Sequence, residues 1–284
     1  NFATLKTVLL GTPTQPLSIQ IGYRDVVRGL REIGLNQNSI VVVHSSLKSF
    51  GHVVGGAETV IGALLAVCGT IVMPAFTYQT VVTPEAGPAN NGLSYGVAAD
   101  NVEAEFWNPD LKIHKDIGVI PETFRHHPSA KRSDHPVMSC VAVGKYANEI
   151  LASQKLEDPL TPFARVADHG GDVLMLGTSH ATNTMIHVGE QRAGRKLFTR
   201  WALTSDSIVA VSWPGDSSGF NALVPHIQRI VKRGQIGTST IQRIPADDLV
   251  MIVQTLIRKD PTALLCNATD CERCRDYRIL IKAA

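Results

Sequence analysis

The sequence predicts an α/β fold: a mostly parallel central sheet flanked by helices, with an inserted loop or subdomain near residues 80–110. Three observations carry that expectation. Residues 40–43, 71–73 and 173–176 are short aliphatic runs without polar alternation, the pattern of strands covered on both faces. Between the first two, Val60, Ile61, Leu64, Leu65 and Val67 recur at helical spacing. Glycine or proline punctuates the unit at Gly55, Gly56, Gly69 and Pro74, where a crossover must turn.

Taken in order, residues 17–35 place Ile21, Val26, Val27, Leu30, Ile33 and Leu35 on one side of an amphipathic helix that ends at Gly34. The strand, loop, helix and strand of 40–80 follow. His44-Ser45-Ser46-Leu47 falls at the carboxyl end of the first strand, where open sheets bind ligands. A glycine loop feeding a helix N-terminus offers free N–H groups and partial positive charge to a phosphate. A phosphorylated ligand and a plain βαβ packing unit account for this stretch equally well.

Residues 81–107 lose all periodicity, which in a compact chain marks a functional loop or lid. Its neighbourhood holds Glu85, Asp100, Glu103, Glu105 and Asp110, which either face solvent or line a pocket for a polycation. Pro121 suits the first turn of a helix. Arg125, Lys131, Arg132 and Ser133 form a phosphate-binding cluster or a solvated turn ahead of a strand at 137–143. After the strand at 173–176, Asn183 or Thr184 caps a helix that carries His187 and Glu190 on one face. A first-turn histidine sits at the positive end of the helix dipole, which favours the neutral imidazole a general base requires. A structural hydrogen bond is the plainer reading of that pair. A turn at 216–220, a helix at 221–231, weak strand signals at 236–237 and 240–244, and a helix from Asp247 to Ile257 complete the chain.

The chain is read as a single domain over 1–284, with 81–115 as a possible substrate loop and 262–284 as a cysteine tail. A net charge of +2 without a long basic run argues against nucleic acid or a membrane surface as partner. The apolar run Val8-Leu9-Leu10 is too short for a secretory segment, so the expected location is cytoplasmic. Cys68 and Cys140 lie in apolar surroundings and read as core. Cys266, Cys271 and Cys274 lie within nine residues of each other, a spacing open to a metal, to free thiols or to a disulfide. A zinc would need a fourth ligand, with Asp270, Asp276 or a distant histidine as candidates.

His44-Ser45-Ser46-Leu47, Gly55-Gly56, Met73-Pro74-Ala75-Phe76-Thr77, residues 118–125, Arg132-Ser133-Asp134-His135-Pro136, Gly170-Gly171 and residues 183–190 occur in one order. In that order they resemble the aminoglycoside 3-N-acetyltransferase family, over roughly residues 18–280. The resemblance implies direct acetyl transfer from acetyl-CoA to the 3-amino group of a deoxystreptamine ring. His187 would be the base and Glu190 its partner. The coenzyme side would comprise His44, Ser45, Ser46, Leu47, Lys48, Val54, Gly55, Gly56, Thr123, Phe124 and Ser133, with His135 completing it. Tyr78, Glu85, Asp100, Glu103 and Asn183 would meet the amine substrate, and backbone N–H groups near Ser46 the oxyanion. A structural zinc on the three C-terminal cysteines accompanies this reading, in a monomer or homodimer. Gly189 stands where the family pattern leads us to expect alanine, a change expected to loosen the helix by about 1 kcal/mol. The rival readings are another amine with another acyl-CoA, a non-catalytic zinc-stabilised binding module, and a metal-dependent hydrolase.

Overall fold

The aliphatic run at 40–43 becomes the middle strand of the molecule. The structure, a computed structural model, describes residues 20–96 and 98–283, without the side chains of 98–100. The N-terminal segment therefore lies outside the described residues. Strand β1 (Gln20–Ile21) leads into α1 (Tyr23–Glu32), where the Asp25 side chain accepts from the Gly22 N–H. The central unit follows as β2 (Ile40–Ser45), β3 (His52–Val53), α2 (Gly56–Val67) and β4 (Thr70–Pro74). The strand–helix–strand order matches the apolar pattern, with boundaries within about two residues of those read from the sequence.

Next come β5 (Val81–Val82), α3 (Val119–Phe124), β6 (Lys131–Arg132), β7 (Cys140–Gly144), α4 (Ala147–Ala152) and α5 (Thr161–Asp168). Strand β8 (Asp172–Leu176) and helix α6 (Met185–Arg192) follow, and α6 carries the histidine–glutamate pair. The chain then forms β9 (Phe198–Leu203), β10 (Ile208–Trp213), α7 (Val224–Ile227), β11 (Lys232–Ile236), β12 (Ser239–Pro245), α8 (Ala246–Lys259) and α9 (Glu272–Ala283).

A seven-stranded sheet runs in the order β11-β12-β8-β2-β4-β7-β6, flanked by helices as the α/β expectation requires. The expectation of a mostly parallel sheet is corrected: only β8–β2 and β2–β4 pair in parallel. The outer pairings are antiparallel, because β11–β12 is a hairpin folded back on β8 and β7 returns beside β4 after the long loop.

The buried strands separate the core into two faces by simple alternation. Val41, Val43, Ile71, Met73, Leu174 and Leu176 pack with Leu30, Ile61 and Leu64 on one side. Val42, Val72, Val173 and Met175 pack with Phe163, Ile186, Leu249 and Val253 on the other. That double burial is why these strands read as unbroken apolar runs.

The loop region after β4 is anchored to a smaller sheet of order β10-β9-β5. Arg132 clamps it: its guanidinium donates to the carbonyls of Ala75, Pro109 and Leu111 and lies over the Trp107 ring. Arg125 forms a two-point pair with Glu122. Both arginines are thus spent on structure, which corrects the phosphate-cluster expectation. Among the described residues, no helix is long and apolar enough to cross a membrane.

Candidate active site

β2 and β8 run parallel and end at the same edge of the sheet, and a cavity of about 570 Å³ opens there. His44, Ser45, Ser46, Leu47 and Lys48 line it from the end of β2, and Tyr78 from beyond β4. Thr178, Asn183, Thr184 and His187 enter after β8, and residues 213–217 close the opposite wall.

His187 sits in the first turn of α6, as the sequence predicts. Its Nδ1–H donates to Glu190 Oε2 at 2.6 Å, and both side chains are buried. That leaves Nε2 as the ring nitrogen open to a proton. The Phe220 ring meets the imidazole edge-on, with centroids 4.7 Å apart. Behind the pair, Arg195 donates to the other oxygen of Glu190.

The turn into α6 is held by side chains. Asn183 Oδ1 accepts from the Met185 N–H, and Asn183 Nδ2 lies 3.3 Å from His180 Nδ1. His44 Nε2 accepts from the Thr184 N–H at 3.3 Å. Burial, reinforced by His180, pushes the His44 pKa down to about 3, so this imidazole is a neutral acceptor. His44 and Asn183 therefore border the cavity while they position the helix that bears the dyad.

Several expected contacts fall elsewhere. Gly55 and Gly56 adopt φ values of +78° and +59° to turn into α2, and neither they nor Val54 reach the cavity. Phe124 is a fully buried core residue, and the Thr123 hydroxyl donates back to the Val119 carbonyl. Ser133 accepts from the Cys140 N–H and contacts Gln154, so it ties β6 to β7. His135 Nδ1 accepts from the N–H groups of Val137 and Met138, which makes it a turn residue. The Ser46 N–H already donates to the Leu176 carbonyl, which removes it as an oxyanion donor. The buried hydroxyls of Ser45 and Thr178 line the cavity and have no partner among the described residues.

Glu85 and Glu103 are exposed and lie off the cavity, and the Asp100 side chain is outside the described residues. The carboxylates that line the cavity are Asp116 and Asp216, which the sequence reading missed. The available signal was the Pro214-Gly215-Asp216 run directly after a strand. Tyr78 does line the cavity, its ring 5.3 Å from Trp213 and 5.1 Å from His114. Burial raises its phenol to about 12.

Cys266, Cys271 and Cys274 converge, and their sulfurs and an Asp216 oxygen all lie within 4.8 Å of one another. The fourth group is thus Asp216. Asp270 is exposed, and Asp276 accepts from the Gly92 N–H and Arg275. Burial raises the Cys266 and Cys274 thiols above their ordinary range. Asp216 also pairs with Arg273, a second lining residue, at 3.2 Å.

Fold and site together define an open-sheet α/β protein built around a histidine–glutamate dyad at the carboxyl edge of its parallel strands. The family model of aminoglycoside 3-N-acetyltransferases matches residues 42–258, and the chain belongs to that family. Aminoglycoside N(3)-acetyltransferase VIII of Streptomyces fradiae is 35% identical over 182 residues, 59% of this chain and 60% of that protein. The match thus spans about three-fifths of that relative's length. YokD of Bacillus subtilis, named as aminoglycoside N(3')-acetyltransferase-like, is 35% identical over 188 residues, 63% of this chain and 68% of that protein. Among solved structures, a histidine-to-alanine variant of aminoglycoside acetyltransferase AAC(3)-IVa in complex with a gentamicin has a TM-score of 0.76. It is 26% identical to this chain, with 93% of this chain and 99% of that one covered.

Proposed function

We propose that the chain transfers an acetyl group from acetyl-CoA to the 3-amino group of an aminoglycoside, in one step and without a covalent enzyme intermediate. The observation that carries this reading is the buried His187–Glu190 pair, with His187 lining a cavity that has carboxylates on its wall.

The acceptor amine is protonated at neutral pH and must lose a proton to attack. His187 Nε2 takes it, while Glu190 holds Nδ1–H and stabilises the imidazolium that forms. As the amine adds to the thioester carbonyl, negative charge develops on its oxygen. The unpaired hydroxyls of Ser45 and Thr178 are available to donate to it. Collapse of the adduct breaks the C–S bond, and the CoA thiolate leaves with the proton that His187 holds. Residues 45–48 form the coenzyme side, with the Lys48 ammonium toward its phosphates. On the acceptor side, Tyr78 and Trp213 offer faces to the sugar rings, and Asp116 offers charge to its ammonium groups. The gentamicin complex of the AAC(3)-IVa variant supports this acceptor class. A cytoplasmic location fits the acetyl-CoA requirement.

The cysteine cluster fits a structural zinc held by Cys266, Cys271, Cys274 and Asp216. Three soft thiolates and one carboxylate would suffice as its ligands, and the metal would supply cohesion to the C-terminal segment rather than acyl chemistry.

The test is release of free CoA thiol from acetyl-CoA with a panel of aminoglycosides, wild type beside His187→Ala. Release with acceptors bearing a 3-amino group, reduced more than ~10²-fold in the variant, is the expected result. A variant with unimpaired turnover would eliminate His187 as the base.

A further inference from the structure

We propose that Arg195 is the third member of the relay, a positioning residue that balances Glu190 so that His187 stands ready to accept a proton. The inference rests on the reading of His187 as the base.

Gly194, at φ +95°, turns the chain at the end of α6 and brings Arg195 back against the helix. The Arg195 N–H donates to the Glu190 carbonyl at 3.0 Å. Its guanidinium is 3% exposed. One nitrogen pairs with Glu190 Oε1, and another donates to the carbonyls of Pro261 and Ala263 at 2.8 and 3.0 Å. Glu190 thus faces a cation on one oxygen and the imidazole on the other.

Charge accounting gives the arrangement its meaning. A buried carboxylate without a partner is costly, and it recovers the cost by gaining a proton or by holding one nearby. With Arg195 in place, Glu190 is already balanced, and the proton that reaches His187 comes from the substrate. Without that cation, Glu190 either holds His187 as imidazolium at rest or becomes protonated itself. Both outcomes remove the base.

The other titratable groups in range are Tyr277 on α9 and Asp260 just past α8, with His44, Lys48, Lys115, Asp116, Asp216 and Arg273 lining the cavity that His187 enters. Burial keeps the Tyr277 phenol protonated and His44 neutral. Arg273 pairs with Asp216, and neither Lys48 nor Lys115 forms an ion pair with Glu190, so among the described residues the cation in contact with Glu190 is Arg195.

Arg195 also ties down residues 261–263, so any substitution lowers the melting temperature, and the test must read something else. The pH dependence of kcat/KM does so, measured for R195Q, R195K and the double variant E190Q/R195Q. For R195Q the acid limb is expected to move up by about one pH unit or more, with kcat at pH 7 down ~10-fold and acceptor KM nearly unchanged. R195K keeps the charge and is expected to keep the wild-type limb, although it melts earlier. The double variant removes both charges of the pair, which protects its folding, and its limb is expected to return toward wild type. A wild-type limb in R195Q, or an equal displacement in R195K, would overturn the proposal. Wild-type turnover in His187→Ala would remove the base itself and this inference with it, and that result is read independently of Arg195.

Discussion

At the scale of single residues, Cys266, Cys271 and Cys274 show how burial and chemistry point the same way. Burial raises the Cys266 and Cys274 thiols, because a lone thiolate is poorly solvated there. A divalent cation reverses that preference by replacing the protons, and its binding releases them. The protein is therefore expected to carry about one zinc per chain, by the four-ligand argument. Cys271→Ser should lose most of that metal and melt several degrees lower, as read by elemental analysis and thermal denaturation. Protein that neither takes up zinc after chelation nor changes its melting temperature would refute the site. The spacing of the three cysteines was legible in the chain. Asp216 was not, since it lies fifty residues away and only the fold brings it to them. Arg195 was hidden for the same reason, because its partners at 261 and 263 are remote in sequence.

At the scale of elements, the packing of α6 on α8 decides what Gly189 is for. Helix propensity alone marks this glycine as a weakness relative to alanine. The structure reverses that expectation. A Cβ at Gly189 would stand 2.6 Å from Val253 Cβ and Cγ1 and 3.3 Å from the Val250 carbonyl oxygen. The missing side chain is what lets α8 approach so closely. Gly189→Ala should therefore destabilise the protein by about 1–3 kcal/mol in chemical denaturation, overpacking outweighing the gain in propensity. Val253→Ala in the same chain should recover part of the loss. A Gly189→Ala protein as stable as wild type would mean the helices can part without cost. The dyad itself was legible because His187 and Glu190 lie three apart on one helix. The contact that requires glycine is tertiary, and no local pattern announces it.

At the scale of the whole molecule, strand direction and loop reach were the properties the sequence withheld. The central strands were legible because both their faces are buried. β11 has Lys232, Arg233 and Gln235 exposed at the sheet margin, and a polar edge strand carries no sign of its direction. Likewise, chain position alone could not say that Asp116, and not Glu85 or Glu103, borders the cavity. Buried histidines offer a test of the assembled core. Burial pushes His44 down to about 3 and His135 to about 4, and lowers His180 as well. In the unfolded chain each returns to about 6.5 and binds a proton that the folded state refuses. Their contribution to stability is complete above pH ~6.5 and is lost as the pH falls toward the folded values. For His44 and His135 the loss is about 1.4 kcal/mol per pH unit, or about 2 kcal/mol each by pH 5. The melting temperature should accordingly drop between pH 6.5 and 5. His135→Asn retains an acceptor for the Val137 and Met138 N–H groups without the titration, so its melting curve should fall less steeply over that window. If the variant instead tracked wild type at every pH, His135 would be taking up its proton in the folded state, and the buried, neutral imidazole at that turn would be wrong.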